Sequence, residues 1–105
     1  MTKVLIPILG KEVAPRFDLA LEVFIVEFDS KWKVVSSKNV ILPESSGEEM
    51  CSLILKENVD IVLTNGIEDE YYNYLKWKKV KVIDNVMDNI ENALAFLIRE
   101  ERRYE

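Results

Sequence analysis

Histidine is absent from the 105 residues of this chain. Its absence removes the commonest metal ligand and the usual general base of near-neutral pH, and with them any Ser-His-Asp or Cys-His catalytic arrangement. Cysteine occurs once, as Cys51, so no internal disulfide can form, which suits a reducing compartment. A cluster held by protein thiolates normally needs several of them. Glycine and proline are scarce, three of each, and no repeat, linker or low-complexity segment divides the sequence. No apolar run approaches the ~18 residues that a bilayer span needs, and residues 1–3, followed by a strand pattern, lack the shape of a signal peptide. The expectation is a cytoplasmic protein with no membrane partner. Basic residues are outnumbered, 14 against 19 acidic, for a net charge of −5; this field repels phosphate backbones, so no nucleic-acid partner is expected.

What is present is a soluble globular composition, 49% hydrophobic and 31% charged. The length fits one domain over residues 1–105, of a size that buries roughly two-thirds of its unfolded surface. Residues 4–9 are apolar on both faces, as a strand covered by helices on both sides should be, although Pro7 removes a ladder hydrogen bond. Residues 22–28 and 32–41 alternate around an Asp29-Ser30-Lys31 turn and read as a β-hairpin with one partly wet face. From Ser45 the pattern becomes helix, strand, helix, strand, helix. Ser46 with Glu49 forms a capping-box signature, and Asn58 tolerates the left-handed conformation that ends a helix. Residues 59–63 and 80–84 read as strands, Asn65 with Glu68 as the start of the middle helix, and Asp88 with Glu91 as the start of the last. Ile90, Ala93, Leu94, Leu97 and Ile98 form a core stripe on that last helix. The order β-β-β-α-β-α-β-α predicts an α/β fold: a mixed five-stranded sheet with helices on both faces.

Two stretches break this pattern, residues 10–18 (GKEVAPRFD) and 64–67 (TNGI), each directly after a buried strand. If those strands are parallel neighbours, both loops open at the carboxyl edge of the sheet, where open α/β folds bind ligands. The candidate ligand-binding residues are therefore Gly10, Lys11, Pro15, Arg16, Phe17, Asp18, Thr64, Asn65 and Gly66. Arg16 carries a planar donor fork suited to oxyanions, thiometallates or a carboxylate, and its alternative is a salt bridge to Asp18 that only stiffens the loop. Lys11 adds charge to the same mouth or is simply solvated. Phe17 reads as an anchor on the core. Gly66 precedes a helix N-terminus, whose amides and dipole favour an anion, while Glu68 adds a competing carboxylate. Cys51 lies in the apolar face of its helix and reads as a core residue. Tyr72 and Trp77 leave the buried face of the middle helix, which suggests contact with a partner or a second copy in a homodimer.

The segments KVLIPILG, APRFD, VFIVEFD, VDIVLTNGI and KVKVIDNVMDNIENALAFLI, taken in order over nearly the whole chain, resemble the dinitrogenase iron-molybdenum cofactor biosynthesis family. The resemblance implies a three-layer ribonuclease H-like fold and a non-enzymatic role in binding or delivering an iron-sulfur or molybdenum-containing cluster, with cluster-assembly proteins as partners. Two departures stand at the mouth. Arg16 follows Pro15 where members often carry histidine, and Asn65-Gly66 stands where a glycine pair is common. These departures leave open a second reading, an interaction or small-anion-binding module that has lost cluster binding. A ribonuclease H-like hydrolase ranks third, because the first strand lacks the carboxylate that two-metal catalysis needs and Asp60, Asp84 and Asp88 do not replace it. Neither catalytic residues nor protein metal ligands are expected.

Overall fold

In the computed structural model, which describes residues 1–103, the chain runs β1 (Thr2–Leu9), β2 (Glu12–Val13), β3 (Glu22–Phe28), β4 (Val34–Ile41), α1 (Gly47–Lys56), β5 (Ile61–Leu63), α2 (Asp69–Trp77), β6 (Lys81–Ile83) and α3 (Ile90–Arg102). Five strands line up as β4-β3-β1-β5-β6, with β2 pairing β1 beside that path. The expected hairpin is there: β3 is antiparallel to both β1 and β4. So is the parallel half, in which β5 joins β1 and β6 joins β5. The addition is β2, two residues within the first loop that pair as Ile8 with Val13 and Leu9 with Glu12. A strand this short carries no periodic signal, so the sequence pattern passes over it.

Alternation of side chains along each strand separates two cores. Leu5, Val23, Ile25 and Val62 face α1 and α2, packing with Met50, Ile54 and Leu75. Val4, Ile6, Ile8, Val26, Phe28, Ile61 and Leu63 face the other way, toward Ala93 and Leu97 of α3. The layers are thus helix pair, sheet, single helix. Each large side chain fully buried in them contributes roughly 1.5–3 kcal/mol. Pro7 sits in the central strand without harm because the β1–β5 ladder has ended at Leu5 with Val62. Beyond it the Pro7 carbonyl accepts the Ala14 amide at 2.8 Å, so the strand is handed over to the first loop. The hairpin's outer strand differs from expectation: β4 is exposed along nearly its whole length rather than on one face. It lies at the sheet edge, and Lys38, paired with Glu57 at 3.0 Å, places charge on that edge, a common guard against further pairing.

Helix ends explain how such short elements hold their positions. Ser46 Oγ accepts the Glu49 amide at 3.0 Å, as the capping-box pattern predicts. Two helices finish in Schellman motifs. Val59 N–H donates to Ile54 and Asn58 N–H to Leu55 after α1, while Val80 N–H donates to Leu75 and Lys79 N–H to Lys76 after α2. The left-handed residues there are Asn58 (φ 57°) and Lys79 (φ 68°), and nothing about a lysine announces that role. Two starts are corrected. Glu68, not Asn65, is the residue before α2, and it makes no side-chain cap. At α3 the cap is Asn89, whose side chain accepts the Asn92 amide at 2.7 Å, one residue beyond the expected Asp88.

Candidate functional site

The two loops do open at one edge, because β1 and β5 are parallel neighbours, and they are joined to each other. Gly66 N–H donates to the Pro15 carbonyl at 2.9 Å, and Phe17 N–H donates to the Gly66 carbonyl at 2.8 Å. Together these bonds make a short parallel bridge between residue 16 and residue 66. A Cβ at position 66 would stand 3.0 Å from the Pro15 carbonyl oxygen, so glycine is what lets the two backbones approach this closely. Phe17 has no exposed surface and sits in the core under α1 and α2, as an anchor should. It also contacts the Tyr71 ring, 5.8 Å between centroids.

The same first loop is tied to the segment before α3. Val13 N–H donates to the Asp88 carbonyl at 3.0 Å, and Ile90 N–H to the Lys11 carbonyl at 2.9 Å. The second loop is tied there too, since Asn85 N–H donates to the Asn65 carbonyl and Val86 N–H to the Thr64 carbonyl. Backbone groups of three loops are therefore used on one another. Gly10 lies at the tip of the β1–β2 turn, and Lys11 is exposed beside it. Of the nine sequence-identified residues, Gly10, Lys11, Pro15, Arg16, Asp18, Asn65 and Gly66 lie on the loops at this edge, while Phe17 and Thr64 are fully buried beneath it.

Arg16 is the rim's main cation, and its Nε and Nη2 donors are taken. Nε and Nη2 reach the Asp18 carboxylate at 3.1 and 2.9 Å, and Nη2 also reaches Glu68 at 3.1 Å. Arg16 and Glu68 are each about half exposed, 50% and 54%, against 18% for Asp18. Exposed ion pairs of this kind are worth about 0–1 kcal/mol, so their effect is to orient the guanidinium rather than to hold the fold. The stiffening alternative for Arg16 is thus present in the structure, extended by Glu68 to the second loop. Thr64 is the exception to this mutual satisfaction: it is fully buried, and Oγ1 has no hydrogen-bond partner among the described residues. Beside the bridge, Leu9 and Leu19 are exposed and flank a shallow apolar groove floored by Ile8, Ala14 and Ala20.

Metal-ligating chemistry is not assembled. No group of three or more Cys, Asp or Glu able to hold a metal ion occurs among the described residues. Cys51 lies on α1, nearly buried and packed in the core beneath that helix. Burial first, then the carboxylates Glu48 and Glu70, push its thiol up to about 11, so it stays protonated at neutral pH and is a poor metal ligand. Asp60 binds the Lys3 amide at the start of β5, while Asp84 and Asp88 follow β6, so no catalytic carboxylate cluster forms.

Sequence reasoning missed a second locus, between α1 and α2. Tyr71 lies across Gly47, and its hydroxyl donates to Glu48 at 3.4 Å. Beside it a cleft of about 370 Å³ is lined by Glu48, Cys51, Leu55, Glu70, Tyr71 and Tyr74. Tyr74, on the same helix, is 37% exposed. The available signal was Gly47 itself, a glycine placed directly after a helix cap with no turn to make.

Among known proteins, the family model described as "Dinitrogenase iron-molybdenum cofactor" matches residues 2–100. No curated protein matches the chain. Of solved structures, a protein of Methanocaldococcus jannaschii given a provisional dinitrogenase assignment superposes with a TM-score of 0.77 at 24% identity, over 94% of this chain and 89% of that one. A Thermotoga protein provisionally assigned as NifB gives 0.74 at 20%, over 94% and 89%. The apo form of the orange protein from Desulfovibrio gigas gives 0.76 at 16%, over 96% and 90%. At these identities the likeness speaks for the fold.

Proposed function

The chain belongs to the dinitrogenase iron-molybdenum cofactor family, and from that premise we propose that it is a non-enzymatic accessory module which acts in cofactor handling through contact with a partner protein, without ligating a cluster itself. The observation that carries this reading is the closed rim. The Gly66 amide is given to Pro15, and the Arg16 guanidinium is held by Asp18 and Glu68. An anionic thiometallate would meet a neutralised cation, a used amide, and Glu68, Asp69 and Glu70 at the start of α2, where negative charge already occupies the favourable end of the helix dipole. The donor set does not fit a cluster: the one thiol lies in the core beneath α1, its pKa raised by burial, and thiolate ligands are what iron-sulfur clusters use. Contact is supported by the apolar side chains beside the bridge, with Leu9, Leu19 and Leu21 all more than half exposed and Met87 79% exposed on the loop before α3.

One observation favours the cluster-binding role that the resemblance implies, with a rim that parts to take a small anionic cluster: the unpartnered hydroxyl of Thr64 behind the second loop. Anaerobic incubation with tetrathiomolybdate, with and without copper, and with a ferrous-sulfide reconstitution mixture separates the two. After desalting, wild-type protein and Glu68→Gln are expected to retain no molybdenum or iron. Stoichiometric metal retained by wild type and lost in Arg16→Ala would overturn the contact reading and establish the carrier.

A further inference from the structure

The cleft between α1 and α2 is chemically unlike the rim and does not depend on the reading given to it. Its floor is apolar, from Cys51 and Leu55, and its walls are the rings of Tyr71 and Tyr74. Two exposed carboxylates, Glu48 in the first turn of α1 and Glu70 in the first turn of α2, line it, and neither has a cationic partner among the ion pairs of the described residues. Glu48 accepts only long bonds from the Tyr71 hydroxyl, 3.4 Å to each oxygen. The Cys51 thiol also lines the cleft, 6% exposed and without a hydrogen-bond partner among the described residues. We propose that this cleft binds a small aliphatic cation, an ammonium or guanidinium group on a hydrocarbon stem.

Each alternative ligand class meets a specific obstacle. A metal ion finds no set of three ligating side chains there. An anion meets two unneutralised carboxylates. A neutral apolar molecule would leave those exposed carboxylates to solvent and gain nothing from them. An organic cation satisfies the carboxylates by charge-assisted hydrogen bonds, sets its charge against aromatic faces, and lays its stem on the Cys51–Leu55 floor. The volume, about 370 Å³, falls in the range of small-ligand sites. One ammonium, Lys78, already stands 5.8 Å from the Tyr74 ring centre and closer, 4.6 Å, to Trp77, and it forms no ion pair with Glu48 or Glu70 among the described residues. Burial first, and then the same two carboxylates, raise both the Cys51 thiol and the Tyr71 phenol.

The test is a nitrogen-15 amide NMR titration of the intact chain with agmatine, a neutral amide of the same chain length, and a capped lysine that mimics a partner's side chain. Agmatine is expected to give saturable shifts centred on Glu48, Cys51, Ser52, Glu70, Tyr71 and Tyr74, with the neutral amide inert. Glu70→Gln and Glu48→Gln should each weaken agmatine about tenfold, the scale of one charge-assisted hydrogen bond, while their thermal unfolding and circular dichroism stay those of wild type. The proposal fails if no shift saturates, if the neutral amide shifts the same amides, or if the folded double variant binds as wild type does. Binding of the capped lysine in place of agmatine would also overturn the assignment to a free small cation.

Discussion

The rim of joined loops and the cleft between α1 and α2 gather polar side chains in opposite ways. At the rim, backbone donors and the one guanidinium are matched locally: Pro15 with Gly66, Val13 with Asp88, Arg16 with Asp18 and Glu68. In the cleft, Glu48 and Glu70 stand without cations and Cys51 without a partner. Buried or half-buried groups that are already paired lose their partners when a ligand arrives, whereas unpaired ones gain one. The loop edge can thus be the quieter part of the molecule, while the helix–helix junction keeps carboxylates with no protein cation paired to them among the described residues. Substitutions in both places, and alkaline pH, probe that contrast.

The largest effect is expected in the cleft. A Cβ at position 47 would lie 2.0 Å from the Tyr71 ring, an overlap that only displacement of the ring can relieve. Gly47→Ala should therefore destabilise the protein by about 1–3 kcal/mol, the usual cost of overpacking, despite alanine's better helix propensity. Urea unfolding measures it. Because Tyr71 also touches Phe17, the amide shifts should extend into the first loop. Unchanged stability would mean that Tyr71 has room to move and that the cleft has no fixed wall.

That junction shows where the sequence stops being legible. Element order, the Ser46 cap and the left-handed Asn58 depend on residues within a few positions of one another, and local chemistry settles them. The meeting of the two loops was also within reach, since it follows once the two apolar strands are taken as parallel neighbours. Gly47 and Tyr71 are 24 positions apart, and their contact exists only because α1 and α2 pack side by side on one face of the sheet. Gly47 is the one hint in the pattern of α1, and nothing in either helix alone names the partner ring. The pairing of Arg16 with Glu68 spans 52 positions and was hidden in the same way; only its local partner Asp18 could be read directly. The strand β2 was missed for another reason, being held by its neighbours rather than by its own pattern.

At the rim, the contrast can be broken at its exception. The Thr64 hydroxyl is buried and unpartnered, and leaving such a group unsatisfied costs about 1–3 kcal/mol. Thr64→Val keeps the shape and removes the hydroxyl, so a gain of about 1 kcal/mol is expected in urea or thermal unfolding. A loss of similar size would show that water or a ligand holds this oxygen in solution, and the rim would then have to be counted, like the cleft, as a place with unmet valence.

The smallest effect vanishes at neutral pH and sharpens the cleft side. Burial, then Glu48 and Glu70, raise the Cys51 thiol from 9.0 to about 11. Below pH 9 the native and unfolded chains both keep this proton, and the thiol adds no pH dependence. Above it the unfolded chain releases the proton while the native chain holds it, so stability falls as pH rises toward the native value. Tyr71, raised from 10.0 to about 12 by burial and the same carboxylates, contributes the same sign only at higher pH. Between pH 9 and 10 the decline in urea midpoint should therefore be shallower in Cys51→Ala than in wild type, and an identical slope would remove the thiol from the account. Thiolate absorbance then separates the two regions: Glu70→Gln should lower the titration midpoint of Cys51, because one of its raising charges is gone. Arg16→Ala should leave that midpoint in place, since its guanidinium is matched within the rim and does not figure among the charges that act on Cys51.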